Sequence, residues 1–131
     1  MIRPRVFLAD DHPDFLEAES ALLRPHFELV GTASDGAALI AEVRRLNPDV
    51  VVVDVTMPIM NGIDAVHKLV ESGSPAKFVF LTINTGEEFV HACLKGGARG
   101  YVWKARMKGH LIPAIYAVLD GRPYISPLTS A

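Results

Sequence analysis

The chain has 131 residues and a formal net charge of −2, and half of it is apolar, which suits one domain with a real core. The charge gives no general sign of nucleic-acid binding, and the single cysteine, Cys93, excludes a disulfide framework and a cysteine zinc site. The N-terminus lacks the features of a signal peptide, and no apolar stretch approaches the roughly 18 residues of a membrane span, so we expect a cytoplasmic protein without a membrane partner.

Strand-like and helix-like segments alternate along the chain. In order, we predict strand 6–9, helix 13–24, strand 27–33, a helix ending at Leu46, strand 50–54, helix 63–71, strand 78–82, helix 86–95, strand 100–103 and a last helix ending at Leu119 or Asp120. The helices follow from apolar residues repeating near every 3.6 positions. Strict alternation predicts right-handed βαβ units, and so an α/β fold with a doubly wound, five-stranded parallel sheet and five helices.

Four of the predicted strands end in or beside chemically active side chains. Asp10 and Asp11 follow the first strand, Asp54 ends the third, Thr82 ends the fourth, and Lys104 follows the fifth. In open α/β sheets, ligands bind in the crevice beyond the carboxyl ends of the strands. Three carboxylates, a hydroxyl and an ammonium in one crevice predict a site for a divalent metal and a phosphoryl group.

The three acids are expected to need a cation, because mutual repulsion raises their pKa values when none is bound. Mg²⁺ suits a site with few protein carboxylates and several waters, and the backbone carbonyl of Thr56 is the most plausible further ligand. Asp10 and Asp11 have a simpler alternative, since either could cap the helix that begins near Pro13. A carboxylate at the end of the most apolar strand, Asp54, has little structural use.

Other residues also allow two interpretations. Lys104 is either a solvated lysine at a strand end or a mobile point charge beside phosphate. Thr82 is either an ordinary β-branched strand residue or a donor to a phosphoryl oxygen, and Tyr101 either packs in the core or swings. The five histidines are scattered, so we do not expect a histidine metal site, and His12 at a helix start is expected to face solvent.

Taken together, these residues resemble the receiver domain of bacterial two-component response regulators, a CheY-like, flavodoxin-like fold. The motifs that carry the resemblance are Leu8-Ala9-Asp10-Asp11-His12-Pro13, Asp54-Val55-Thr56-Met57-Pro58, Asn61-Gly62, Thr82, Gly97-Ala98, Gly100-Tyr101 and Lys104. The first motif and Tyr124-Ile125-Ser126-Pro127 are similar to the NarL/FixJ-type subgroup, in which a LuxR-type helix-turn-helix domain normally follows. The resemblance implies strand order 2-1-3-4-5 and a receiver domain over 1–121. Two prolines and the absence of a hydrophobic period after Gly121 predict a linker or tail over 122–131.

The same resemblance implies a signalling switch that takes a phosphoryl group from a sensor histidine kinase and controls a transcriptional output. Asp54 would be the acceptor, Thr82 and Lys104 would contact the phosphoryl group, and Tyr101 would be the aromatic switch together with Thr82. The ligands of Mg²⁺ would be Asp10, Asp11, Asp54 and the Thr56 carbonyl. Phosphorylation would favour a homodimer, and DNA would be bound only through a C-terminal domain absent from this chain. Such a protein catalyses only its own phosphorylation and dephosphorylation.

Three positions depart from the pattern. Lys104 is followed by Ala105, where many receivers have proline, so a cis peptide is not expected there. The residue after Thr82 is usually small, but here it is Ile83, which is expected to restrict access to Asp54. Pro113 lies inside the last predicted helix and is expected to be tolerated only if that helix starts nearby. A receiver-like binding module that works without phosphorylation is the alternative function. A haloacid-dehalogenase-like phosphatase would need an acid at position 56, where the chain has Thr56.

Overall fold

The computed structural model describes residues 3–83, 91, 95 and 97–126. Its elements are β1 (Arg5–Ala9), α1 (Pro13–Leu23), β2 (Glu28–Ala33), α2 (Gly36–Leu46), β3 (Val50–Asp54), α3 (Gly62–Glu71), β4 (Lys77–Thr82), β5 (Gly100–Trp103), a 3₁₀ turn (Lys104–Arg106), α4 (Met107–Leu119) and β6 (Tyr124–Ile125). The helix predicted over 86–95 lies almost wholly outside the described residues. Among them, no helix is long and apolar enough to cross a membrane.

The strands form one parallel sheet in the order β2-β1-β3-β4-β5-β6. The α/β class and the predicted order of the first five strands are confirmed. The predicted count of five was wrong, because Tyr124–Ile125 adds a sixth strand beside β5. This pairing covers an edge whose amide and carbonyl groups would otherwise be unpaired. The new strand lies in the segment predicted as linker or tail, while a domain boundary near residue 121 stays a prediction.

The core is split into two layers by the sheet, as expected of a doubly wound fold. On one side, α2 and α3 pack on Val51, Val53 and Phe80, and on the other, α1 and α4 pack on Val50 and Val52. All four valines of β3 are completely buried. A strand that is apolar on both faces belongs at the centre of a parallel sheet. Burial on both faces fixes the position of Asp54, which ends that strand.

Helix α3 begins unusually close to the end of β3. Asn61 caps it by accepting a hydrogen bond from the Asp64 amide at 2.9 Å, as N-terminal asparagines commonly do. A Cβ atom at Gly62 would collide with the carbonyl oxygen of Asp54 and with the Val53 side chain. Glycine is therefore required at position 62 for α3 to start directly behind the strand end that carries Asp54.

Pro113 is tolerated for a reason other than the one expected from the sequence. Helix α4 begins at Met107, so Pro113 lies well inside it rather than in its first turn. Both Pro113 and Gly109, whose carbonyl loses its helical donor, are exposed residues. Water can therefore replace the missing hydrogen bond, and the proline ring points away from the core.

The loop between β3 and α3 holds a strained residue, from which a stability prediction follows. Ile59 has a backbone φ of 68° and a side chain that is 82 % exposed. A β-branched residue rarely adopts this left-handed region, whereas glycine does so freely. We expect Ile59→Gly to raise the free energy of unfolding by about 1 kcal/mol, because strain is relieved and no packing is lost.

Urea denaturation measures this effect, with Ile59→Val as the matched control. Valine keeps the branched Cβ at the same φ, so it should give no gain in stability. A glycine variant less stable than the original chain would show that Ile59 is not strained.

Candidate functional site

Two of the predicted acids lie side by side at the carboxyl edge of the sheet. Strands β1 and β3 are neighbours, and Ala9 pairs with Val53, so the residues that follow each of these meet. Asp10 is 2 % exposed and Asp54 is 4 % exposed. Two carboxylates this deeply buried need compensating positive charge, because burial in a medium of low polarity disfavours an isolated anion.

Lys104 supplies part of that charge. Its Nζ atom lies 3.1 Å from Asp10 Oδ2 and 3.3 Å from Asp54 Oδ2, and the side chain is only 11 % exposed. The ammonium also lies 4.4 Å from the centre of the Phe15 ring, a distance suited to a cation–π contact. The alternative of a solvated lysine at a strand end is therefore wrong for this chain.

His12 lies at the border of the acid cluster. Its side chain is 63 % exposed, as expected, but its Nδ1 atom lies 3.1 Å from Asp10 Oδ1, 3.0 Å from Asp11 Oδ1 and 3.8 Å from Asp54 Oδ2. His12 therefore faces solvent and contacts the acids at the same time. Its amide donates to Asp10 Oδ1 at 2.9 Å, and His12 occupies the N-cap of α1 without a side-chain cap. Capping of α1 by Asp10 or Asp11 is therefore not observed.

The acid cluster suits a divalent cation. One potential ligand atom from each of Asp10, Asp11, His12 and Asp54 lies within 4.8 Å of the others. Asp10 Oδ2 and Asp54 Oδ2 share the single ammonium of Lys104, so one positive charge faces two buried carboxylates and the neighbouring Asp11. Hard carboxylate oxygens are the donors that Mg²⁺ prefers. Thr56 is exposed beside them, and its amide donates to Asp54 Oδ1 at 3.2 Å.

The electrostatics of the cluster are dominated by burial. Burial, followed by repulsion from Asp10, raises the pKa of Asp54 to about 6, against the lowering effect of Lys104 and the Thr56 amide. Burial also tends to lower the pKa of Lys104, but the two carboxylates outweigh it and raise that pKa. In the absence of a cation, Asp54 therefore takes up a proton at mildly acidic pH.

A pH-dependent affinity for Mg²⁺ follows. We expect a dissociation constant of order millimolar at pH 7.5, because most ligands would be water. Affinity should fall as the pH drops through about 6, since a proton then competes with the cation for Asp54. Fluorescence of Trp103, the residue before Lys104, offers the readout. Asp11→Asn and Asp54→Asn should weaken binding, whereas the exposed Asp120→Asn should not.

If affinity is the same at pH 5 and pH 7.5, the cation does not bind through Asp54. Equal affinities of the original chain and Asp54→Asn would lead to the same conclusion. Asp120→Asn is the matched control, because it removes the same charge from an exposed position at the end of α4.

The remaining predicted site residues line the same end of the sheet. Thr82, at the end of β4, is 2 % exposed, and Tyr101 is completely buried in the core. Ile83 is 82 % exposed and borders a surface cavity of about 760 Å³ that also reaches Asp54 and Lys104. The structure therefore brings the other predicted side chains to one edge of the sheet, whereas Tyr101 packs in the core beside Phe80.

The structure also contains a buried acid that the sequence analysis missed. Glu19, on α1, is 1 % exposed, and neither of its carboxylate oxygens makes a hydrogen bond within the described part of the chain. Burial, and then repulsion from Asp10, raises the pKa of Glu19 well above its ordinary value. Its spacing contained the signal, since Glu19 lies four residues after Phe15 and four before Leu23 on the apolar face of α1.

Comparison with known proteins identifies the family. Residues 6–116 match the model of the response regulator receiver domain. The chain belongs to this family. It is 35 % identical over 125 residues to the transcriptional regulatory protein DegU of Brevibacillus brevis, covering 94 % of this chain and 53 % of DegU. It is also 35 % identical over 126 residues to the oxygen regulatory protein NreC of Staphylococcus carnosus, covering 94 % of this chain and 58 % of NreC.

Solved receiver structures have the same fold. A LuxR-family two-component response regulator from Aurantimonas sp. is 34 % identical, with a TM-score of 0.90 over 95 % of this receiver and 91 % of that chain. The receiver domain of NarL from Mycobacterium tuberculosis is 27 % identical, with a TM-score of 0.89 over 93 % of this receiver and all of that chain. The resemblance to the NarL/LuxR-type subgroup is thus confirmed, and this receiver spans little more than half the length of the curated relatives it matches.

Proposed function

We propose that this receiver is a phosphorylation-dependent switch whose Asp54 accepts a phosphoryl group from a sensor histidine kinase. The arrangement of Asp54 carries the proposal. Its carboxylate lies at the buried end of β3, 3.3 Å from the Lys104 ammonium, and borders a cavity open to a donor. A carboxylate in this setting has a cation to balance it and a path by which a phosphoryl group can arrive.

The chemistry of transfer follows from these positions. A carboxylate oxygen of Asp54 attacks the phosphorus in line, the bond from phosphorus to the histidine nitrogen of the donor breaks, and an acyl phosphate forms. Lys104 neutralises charge on the phosphoryl oxygens as a compact cation already in place. Asp10, Asp11, Asp54 and the Thr56 carbonyl would hold Mg²⁺, which supplies further positive charge for those oxygens.

The switch would act through β4 and β5. Thr82 pairs with Trp103, and Phe80 pairs with Tyr101, so a shift at the end of β4 reaches the neighbouring strand directly. A phosphoryl group on Asp54 offers new acceptors to the Thr82 hydroxyl and to Lys104. Because Tyr101 is completely buried, displacement of Thr82 would require its ring to repack, which gives the two-state element that a charge-driven switch needs.

Phosphorylation would act on the assembly of the protein and, through it, on transcription. A homodimer formed on phosphorylation would use the face around 86–95, β5 and α4, or the face of α1 and α4. Tyr116 is 43 % exposed on α4, while Phe89 and Val90 lie outside the described residues. Since this receiver spans little more than half the length of two relatives that are named as regulatory proteins, DNA would be contacted by a separate C-terminal domain. We place the protein in the cytoplasm and assign it no turnover of external substrates.

A binding module that works without phosphorylation is the second candidate, and Ile83 is the observation that favours it. An exposed isoleucine at the border of the cavity narrows the route to Asp54. The contacts of Lys104 with Asp10 and Asp54 favour the first proposal, because a module that had lost phosphorylation has no need for this buried charge cluster.

Titration with beryllofluoride and Mg²⁺, followed by ¹H–¹⁵N NMR and sedimentation, separates the two functions. We expect shifts at the amides of Asp54, Thr82 and Lys104, together with an increase in dimer, and no response from Asp54→Asn. An unchanged spectrum at saturating beryllofluoride would support the phosphorylation-independent module instead.

A further inference from the structure

We propose that Phe15 is a positioning residue for phosphoryl transfer, whose ring face holds the Lys104 ammonium toward the cavity in front of Asp54. The inference deepens the proposed function and rests on it. Lys104 is the cation that would neutralise charge on the phosphoryl group, and Phe15 would act only through Lys104. An aromatic ring carries no net charge, so it holds the ammonium without competing for it as strongly as a carboxylate would.

Two kinds of contact hold the Lys104 side chain. Its Nζ atom lies over the Phe15 ring, 4.4 Å from the ring centre, well within the roughly 6 Å range of a cation–π contact. The same atom lies 3.1 Å from Asp10 Oδ2 and 3.3 Å from Asp54 Oδ2. Because the lysine side chain is only 11 % exposed, little water competes with the ring, and a cation–π contact is stronger when the cation is desolvated.

The fold fixes the position of the Phe15 ring. Phe15 lies in the first turn of α1, which is closed by a hydrogen bond of 2.9 Å from the Leu16 amide to the His12 carbonyl. The side chain is partly buried and packs against the apolar cluster between the sheet, α1 and α4. It also lines the cavity that reaches Asp54 and Lys104. The ring is therefore a fixed part of the cavity wall, against which the flexible lysine lies.

The ring contact matters most when the charge on Asp54 changes. As a carboxylate oxygen of Asp54 forms its bond to phosphorus, Asp54 loses its negative charge and no longer holds Lys104 as an anion. The lysine stem is flexible, and Asp14, an exposed acid that lines the same cavity, offers the ammonium an unproductive partner. The contact with Phe15 is retained throughout, so it restricts the ammonium to orientations that face the phosphoryl oxygens.

Phosphorylation of the full chain by acetyl phosphate and Mg²⁺, followed by intact-protein mass spectrometry, tests the inference with paired variants. Phe15→Leu keeps an apolar side chain but removes the ring, and it should slow phosphorylation on the order of fivefold, the rate equivalent of one cation–π contact. Phe15→Tyr keeps the ring and should stay within about twofold of the original rate. The control is Phe27→Leu, which removes a core ring that does not line the cavity and should leave the rate unchanged.

Proton NMR of the lysine side chains separates positioning from a general effect on folding. Protons above the face of a ring are shielded, so the ε-methylene protons of Lys104 should resonate upfield of those of the exposed Lys68 and Lys108. This difference should persist in Phe15→Tyr and disappear in Phe15→Leu. Unshielded Lys104 protons in the original chain, or equal phosphorylation rates of the original chain and Phe15→Leu, would overturn the positioning role alone. Phosphorylation absent from every chain, with Lys104 still shielded, would contradict the proposed function and with it the kinetic role of Phe15.

Discussion

Ile83→Ala is expected to speed both the phosphorylation of Asp54 by acetyl phosphate and the later loss of the phosphoryl group, by about tenfold to a hundredfold. Ile83 borders the cavity through which a donor must reach Asp54. Its β-branched side chain is stiff at χ1 and cannot easily turn aside. In-line transfer needs the donor, phosphorus and carboxylate aligned, and attacking water uses the same route, so both steps should respond.

Intact-protein mass spectrometry with time measures both rates. The matched control is Ile59→Ala, because Ile59 is equally exposed at 82 % but does not line the cavity. Affinity for Mg²⁺ should change little in either variant. If Ile83→Ala alters neither rate, the Ile83 side chain does not limit access to Asp54, and other residues control that access.

Glu19→Leu is expected to raise the free energy of unfolding by about 2 kcal/mol at pH 7.5. A carboxyl group that is buried without a hydrogen bond loses its hydration, and no protein group replaces the lost hydrogen bonds, so its burial destabilises the folded state. Leucine has a similar size and would join the apolar cluster beneath the sheet, which includes Leu23 and Leu111. Glu17→Leu, on the exposed side of the same helix, is the control and should have little effect.

The gain in the free energy of unfolding from Glu19→Leu should also depend on pH. The folded-state pKa of Glu19 is raised above the ordinary 4.5, so between these two values the native state keeps a proton that the unfolded chain releases. The contribution of Glu19 to stability is therefore greatest below about pH 4.5 and falls as the pH rises through its folded-state pKa. Urea denaturation at pH 5 and pH 8 should show a larger benefit of leucine at pH 8. A destabilised Glu19→Leu variant would mean that the carboxyl is hydrated or paired in solution.

The sheet and the positions of the acids could be predicted because they depend on strong local patterns. Strand β3 is an uninterrupted apolar run, which forces it to the centre, and topology then carries Asp10, Asp54 and Lys104 to one edge. The sixth strand could not be predicted in this way. Two residues, Tyr124 and Ile125, are too short a segment to show a period, and their pairing depends on the open edge of β5.

The surroundings of His12 and Glu19 depend on the direction in which each side chain points, which composition does not give. A side chain at the N-cap of a helix can point outward to solvent or back toward the preceding strand. In this chain the carboxylate of Asp11 holds the Nδ1 atom of His12 at 3.0 Å. Glu19 lies on the apolar face by spacing, but a charged residue there is ordinarily expected at the margin rather than in the core. Its burial appears only once α1 is packed on the sheet.

The location of the phosphoryl group tests the account most directly. After incubation with acetyl phosphate and Mg²⁺, borohydride reduction converts an aspartyl phosphate to homoserine, which peptide mass spectrometry locates. We predict a single converted residue at position 54 and none in Asp54→Asn. A label on histidine, serine or threonine, conversion at Asp10 or Asp11, or an undiminished label in Asp54→Asn would contradict Asp54 as the acceptor.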